Sequence, residues 1–243
     1  MQVPPGELAM PAEVAGAWEK FLAIDREFGP TDQTFPPPEA VFEDGWIFPL
    51  QRKAELAAMV QLAHDNRPIS RTAGPNVLEI GTDKGGGFYW WMSKLRPAKA
   101  IAIEIRGVPF AEPMRKAFPK TKLLALEESS FAPETVAKVR EFLGKDRLDV
   151  VFLDGDKGNY HRDFEAYLPL VRPGGLVFLH DIVDDIEPRR FFWSLRSRFR
   201  LSCIIDAREG ALAGLETGPP TSAWNQWLRH WGANSCGVGV VHV

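Results

Sequence analysis

The run Val77-Leu78-Glu79-Ile80-Gly81-Thr82-Asp83-Lys84-Gly85-Gly86-Gly87 restricts the fold more than any other part of the chain. Val77, Leu78 and Ile80 read as a buried strand. Gly81 ends it, and three glycines in a row precede an aromatic-rich segment of helical character. Glycine permits positive φ and lets a ligand approach the backbone closely. A strand, a glycine turn and a helix N-terminus together make a site for the polar end of a nucleotide. A tight strand-to-helix turn without a ligand would use the same residues, so the meaning depends on the chain downstream.

Beyond Gly87 the pattern alternates. Short apolar runs predict strands at 77–81, 100–105, 122–126, 148–153, 175–180, 200–205 and 237–243, with helical segments near 86–95, 109–118, 133–143, 159–171 and 188–197. Such alternation means a doubly wound α/β fold with a mostly parallel, seven-stranded sheet covered on both faces. The stretch 210–236, rich in Gly, Pro and Trp, reads as irregular. Residues 1–70 differ in character and form a helical, proline-rich cover on the domain of residues 71–243. Helical spacing of apolar residues runs from Ala12 to Phe28, and Gly29-Pro30 stops it. Residues 31–49, with three consecutive prolines and scattered aromatics, suit a strap over the core or a lid over a pocket. A second helix, 50–64, carries Leu56, Met59, Val60 and Ala63 on one face, and His64 caps its end or lies on the surface.

The totals narrow the function. The chain has 243 residues, 45% hydrophobic and 25% charged, which fits one moderate domain with an appendage. A net charge of -3 gives no bulk electrostatic reason to bind nucleic acid. No apolar run approaches the roughly 18 residues of a membrane span, and the N-terminus lacks a signal-peptide pattern. Cys203 and Cys236 form no framework and have no metal-like spacing, which favours buried thiols in a reducing compartment. A cytoplasmic protein is the expectation.

In open α/β sheets, ligands bind beyond the carboxyl ends of the strands. The first strand end supplies Glu79, Gly81, Thr82, Gly85 and Gly86, and the second supplies Glu104, an acid able to accept both hydroxyls of a ribose. The third gives Glu127-Glu128-Ser129-Ser130, the fourth Asp154-Gly155-Asp156-Lys157, and the fifth His180-Asp181. Ligand-type residues at all five ends are rare by chance.

These residues resemble the class I S-adenosylmethionine-dependent methyltransferases. Glu79-Ile80-Gly81-Thr82 looks like their first motif, Glu104 like their ribose acid, and Glu128-Ser129 like the turn that faces adenine. Residues 75–183 carry the likeness well and the remainder loosely. Asp-Gly-Asp after strand four and His-Asp after strand five resemble a bacterial branch grouped with sugar and antibiotic O-methyltransferases. The chain is also similar to catechol and caffeoyl-CoA O-methyltransferases, which carry Asp-x-x-Lys and Asp-Asn at those places. The resemblance implies S-adenosylmethionine held by Glu79, Gly81, Thr82, Gly85, Gly86, Glu104, Glu128, Ser129 and Asp154. It also implies a final antiparallel strand, Gly237–Val243, inserted near one edge of a Rossmann-like sheet. A nicotinamide-dependent oxidoreductase would want Gly-x-Gly-x-x-Gly, from which Thr82-Asp83-Lys84 departs; a methyltransferase-like scaffold without activity is the remaining alternative.

Methyl transfer from a sulfonium needs an aligned acceptor and a place for its proton. Asp154, His180 and Asp181 together suit a divalent cation, Mg²⁺ or Mn²⁺, that lowers the pKa of an acceptor hydroxyl. His180 departs from the oxygen ligands of the relatives and shifts the preference toward Mn²⁺, Fe²⁺ or Zn²⁺. Without a metal, His180 is itself a candidate base. Lys157, three residues past Asp154, occupies the place of the proton-accepting lysine in the catechol-type pattern. Asp156 is another candidate base, or the N-cap of the next helix. Tyr160 is expected under the sheet edge and His161 at the pocket. The basic run Arg189, Arg190, Arg196, Arg198 and Arg200, interleaved with Phe191, Phe192 and Trp193, reads as a helix with one charged and one buried face. One of Trp90 and Trp91 is expected on the sheet, and Trp224, Trp227 and Trp231 in a core or an oligomer contact. The acceptor is expected to be a small molecule, and aromatic residues outside the core favour a homodimer.

Overall fold

The computed structural model describes residues 41–42, 45–46, 53–66, 73–183, 185–207, 210–216 and 236–243. The helix expected over 12–28 and the tryptophans at 224, 227 and 231 lie outside the described residues. A two-residue hairpin, β1 (Val41–Phe42) with β2 (Gly45–Trp46), falls within the segment read as a strap.

The sheet begins with β3 (Asn76–Ile80), buried at every position because helices cover both of its faces. Helix α2 (Gly86–Leu95) leads to β4 (Lys99–Ile103), α3 (Ala111–Ala117) to β5 (Lys122–Leu126), and α4 (Pro133–Leu143) to β6 (Leu148–Leu153). Helix α5 (Tyr160–Tyr167) precedes β7 (Val171–Leu179), and α6 (Ile186–Ser194) precedes β8 (Arg200–Ala207). Strand β10 (Val238–His242) lies between β7 and β8, antiparallel to both. The expected seven strands therefore stand in the order β5-β4-β3-β6-β7-β10-β8. An eighth, β9 (Gly210–Glu216), pairs antiparallel to β8 and extends the edge. Its sequence, Gly-Ala-Leu-Ala-Gly-Leu-Glu, has no β-branched or aromatic residue, and only its pairing with β8 makes it a strand. A dinucleotide-binding sheet keeps six parallel strands, so an antiparallel strand between β7 and β8 removes the nicotinamide reading.

Pleating divides the core. Leu78, Ile80, Ile101, Ile103, Val151, Leu153, Val177 and Leu179 pack on one face with Tyr160, Phe164 and Tyr167 of α5. On the other face, Val77, Val150, Phe152, Phe178 and Val240 meet Trp90 and Trp91 of α2 and helix α1 (Lys53–Asp65), whose Leu56, Met59 and Val60 are essentially fully buried. Trp91 stacks on Phe178 and meets Phe152 edge-on, with ring centroids 5.9 and 6.0 Å apart. Trp90 is also buried, so both tryptophans belong to the core. Helix α1 is thus continuous in packing with the sheet it covers. Its end is fastened at the amino-terminal edge of the strands: Arg172 Nη2 donates to the Asn66 carbonyl at 2.7 Å while its Nε donates to Asp149, at 2.7 Å. Asp149 also accepts the Asn76 amide at 2.7 Å. Cys203 is buried and Cys236 partly exposed. Among the described residues, no helix is long and apolar enough to cross a membrane.

The basic run resolves as the charged face of α6 and the chain after it. Arg190 pairs with Glu187 and Arg198 with Glu165, while Phe192 is fully buried. Opposite, α5 buries an acid: Asp163 is 1% exposed and accepts the Ser130 hydroxyl at 2.6 Å, and the Tyr167 hydroxyl donates to the Ser130 carbonyl at 2.6 Å. Burial pushes the Asp163 pKa up to about 6, against the opposing Ser130 hydrogen bond. An acid whose pKa rises on folding stabilises the fold when protonated, and that contribution disappears as pH climbs from its unfolded value near 3.8 through 6. Asp163→Asn still accepts the hydroxyl but cannot ionise. It should raise stability by roughly 2 kcal/mol at pH 8 and by little at pH 4. Thermal melts at the two pH values check this; equal shifts at both would assign the effect to something other than ionisation.

Candidate active site

The register of the sheet assembles the site. Ile80 pairs with Ile103 and Leu153, Ile103 with Leu126, and Leu153 with Leu179, so these strands end in step. Each next residue donates its amide back to the neighbouring strand: Gly81 to Ile103 at 2.9 Å, Glu104 to Leu126 at 3.0 Å, Asp154 to Ile80 at 2.9 Å and His180 to Leu153 at 3.1 Å. Adjacent strands are about 4.8 Å apart, so Glu104, Gly81, Asp154 and His180 form a row on one rim. Above the row lies a cavity of about 600 Å³.

At one end, the glycine loop and Glu104 interlock. Gly81 has φ 82°, and a Cβ there would fall 2.4 Å from the Asp154 carbonyl oxygen, so only glycine lets these two backbones touch. Glu104, 6% exposed, accepts the Asp83 amide at 2.9 Å on one oxygen and the Arg106 amide at 3.0 Å on the other. Its carboxylate therefore faces the crevice beside Gly81. Thr82 is 3% exposed, and its hydroxyl has no hydrogen-bond partner among the described residues although Thr82 lines the cavity. Ile105, 69% exposed, and Phe131 provide apolar wall nearby.

Most of the residues expected to contact a cofactor line this cavity: Gly81, Thr82, Gly86, Glu104, Glu128, Ser129 and Asp154. Glu79 and Gly85 do not. Glu79 lies one pleat below, 1% exposed beside the Trp91 indole, and burial followed by the Asp154 charge holds its pKa well above the carboxylate range. Gly85 packs its Cα against the Phe110 ring. Glu128 lines the wall, but its carboxylate is turned onto α4, where Thr135 donates at 2.8 Å and Lys138 pairs with it.

At the other end, charges concentrate. Lys157 Nζ bridges Asp154 Oδ1 at 2.5 Å and Asp181 Oδ2 at 2.6 Å, and contacts the Tyr160 hydroxyl at 3.0 Å. His180 Nδ1 faces the same carboxylates, 3.1 Å from Asp154 Oδ1 and 3.0 Å from Asp181 Oδ1. Burial opposes the positive charge of His180, but the two aspartates and Glu55 outweigh it and push the pKa up to about 12. Burial also opposes charge on Lys157, and Asp154 and Asp181 again win, holding its pKa above the usual value. Asp181 has φ 59°, a left-handed conformation that costs free energy and aims its side chain at the cluster. Asp156 caps the turn after β6, accepting from the Gly158 amide at 3.1 Å and the Asn159 side chain at 2.6 Å. Tyr160 is buried below Lys157, and His161 is exposed against Phe191 outside the cavity.

The donor set Asp154, His180 and Asp181 brings two carboxylates and an imidazole within 4.8 Å of one another, which fits a divalent ion of the Mn²⁺ or Zn²⁺ type. Asp154 and Asp181 also pair with Lys157. One participant has no motif signal: Glu55 of α1, fully buried, with Oε2 3.8 Å from His180 Nε2. Its segment reads in the sequence as a cover, and helical spacing shows only the apolar face around it.

Comparison with known proteins points to the same segment. Residues 78–182 match the family model of a methyltransferase domain. No curated protein matches the sequence significantly. Among solved structures, the chain is similar to an O-methyltransferase from Bacillus cereus solved with SAH, at 14% identity and TM-score 0.50 over 98% of this chain and 94% of that one. It is also similar to a protein from Staphylococcus aureus described as a caffeoyl-CoA O-methyltransferase, at 16% identity and TM-score 0.53 over 81% and 86%. The family model covers the segment that supplies most of the cavity lining, and the solved structures share the fold.

Proposed function

We propose that the chain transfers the methyl group of S-adenosylmethionine to a hydroxyl of a small molecule. The observation that carries this reading is the shared rim: Glu104 beside the glycine loop at one end and the Asp154–Lys157–His180–Asp181 cluster at the other, beneath one cavity. Glu104 would accept the ribose hydroxyls, Gly81 and Thr82 would border the amino-acid end, and Ser129 would lie toward adenine. The Bacillus relative was solved with SAH, the product of the same cofactor.

The acceptor oxygen attacks the methyl carbon, the carbon–sulfur bond breaks, S-adenosylhomocysteine leaves, and the hydroxyl proton passes to a base. Lys157 is the side chain that stands between both carboxylates and lines the cavity. As an ammonium it orients and stabilises a developing oxyanion, and it accepts a proton only after losing its own. A divalent ion bound by Asp154, His180 and Asp181 would supply acidification of the acceptor hydroxyl. The Lys157 bridge supports a second reading, in which the ammonium is itself the fixed cation beside the acceptor oxygen.

Three measurements test these roles. Glu104→Gln, which keeps one acceptor for the loop amides, should weaken S-adenosylmethionine binding by about 10- to 100-fold in calorimetric titration. Unchanged affinity would remove Glu104 from the cofactor site. Lys157→Met should lower kcat by at least about 100-fold with the cofactor Kd preserved. A change confined to the Kd would make Lys157 a binding residue. Treatment with EDTA should abolish transfer, and Mg²⁺ or Mn²⁺ should restore it; full activity after chelation would leave Lys157 as the cation.

A further inference from the structure

The catalytic rim leaves Glu55 unused, although it is 0% exposed and comes from a helix outside the segment that matches the family model. We infer that Glu55 is the positioning residue for His180, holding the imidazole so that Nδ1 faces Asp154 and Asp181. The inference rests on the reading of His180 as a metal ligand.

Both oxygens of Glu55 are directed. Oε1 accepts the Gly237 amide at 2.9 Å. That amide belongs to the entry of β10, where the Gly237 carbonyl accepts the Ile182 amide at 3.2 Å and the Cys236 carbonyl accepts the Val183 amide at 2.9 Å. The carboxylate is thus tied to the backbone that pairs with the residue after Asp181. Oε2 then lies 3.8 Å from His180 Nε2, an ion-pair distance rather than a hydrogen bond. Phe152 braces the ring edge-on at 5.9 Å and 82°. His180 is 5% exposed, so its two nitrogens see almost only protein: carboxylates on both sides.

An imidazole ligates a metal through an unprotonated nitrogen, and the group opposite its other nitrogen decides which one that is. With a divalent ion held by Asp154 and Asp181 the Nδ1 proton would be displaced, and Glu55, a carboxylate that can only accept, would keep the remaining proton on Nε2. A glutamine amide can present N–H to Nε2 instead, which reverses the choice. A competing arrangement exists, because Glu55, His180 Nε2 and Cys236 also bring ligand atoms within 4.8 Å. An ion held there would use the opposite nitrogen, so one histidine cannot serve both sets as a neutral ligand.

The test uses Mn²⁺ alone for affinity and Zn²⁺ alone for the ligating nitrogen, on the full chain. Glu55→Gln keeps an acceptor for Gly237 and should melt close to wild type, whereas Glu55→Ala loses both contacts and reports the structural share. Mn²⁺ binding to Glu55→Gln, read by calorimetry, should be about 10- to 100-fold weaker than to wild type. Nitrogen-15 spectra of histidine-labelled, Zn²⁺-loaded wild type should place the metal on Nδ1 of His180 and the proton on Nε2, the signal being assigned by its loss in His180→Ala. Equal Mn²⁺ affinity in Glu55→Gln would overturn the inference while the metal reading stands. Zinc on Nε2, lost in Cys236→Ala, would overturn it in favour of the Glu55–His180–Cys236 set. Absence of Mn²⁺ binding by wild type that still binds S-adenosylmethionine would overturn the metal reading and this inference with it.

Discussion

Parallel pairing of β3, β4, β6 and β7 in a common register is the constraint on which the molecule depends. Because these strands stop in step, residues far apart in sequence arrive side by side at one rim. Gly81 makes the contact tight, since any Cβ would collide with the backbone of Asp154. The apolar runs behind the rim fix the register, because a slip of one residue would exchange the faces that bury Ile80, Leu153 and Leu179 with those that bury Phe152 and Phe178. Core packing and site geometry are therefore one problem with one solution.

The charged end of the rim is costly as structure. Taking Asp154, Asp181, Lys157 and His180 out of bulk water carries a desolvation penalty that their attraction only partly repays, and well-packed apolar residues commonly do as well or better. Asp181 adds a left-handed backbone conformation. Groups held in this way and facing a cavity, with the ionisation of His180 displaced far from its ordinary value, are what chemistry at a site requires. Beneath the cluster, burial first and then the nearby aspartates hold the Tyr160 pKa well above the ordinary phenol value.

The strands and the residues at their carboxyl ends were legible because an apolar run with an acid or glycine after it is a local pattern. Glu104, Asp154, His180 and Asp181 could be found that way, and the antiparallel position of β10 came from the resemblance. What stayed hidden is non-local or conditional. Glu55 acts through partners at Gly237 and His180, and helical spacing says nothing about which distant loop a polar residue will meet. Strand β9 has a composition that suits a loop, and only the open edge of β8 makes it a strand. Glu128 sits where an adenine contact was expected, but Lys138 and Thr135 in the first turns of α4 compete for its carboxylate. Glu79 belongs to the motif, yet the pleat turns it beneath the rim, into contact with Trp91.

A structure of the protein in complex with S-adenosylmethionine tests the shared rim most directly. The ribose hydroxyls should lie on the Glu104 carboxylate, the adenine between Ile105 and the Ser129–Phe131 turn, and the sulfonium methyl should be directed along the rim toward Lys157. A cofactor bound with Glu104 turned away, or with its methyl group facing away from the Asp154–Asp181 cluster, would contradict the assignment.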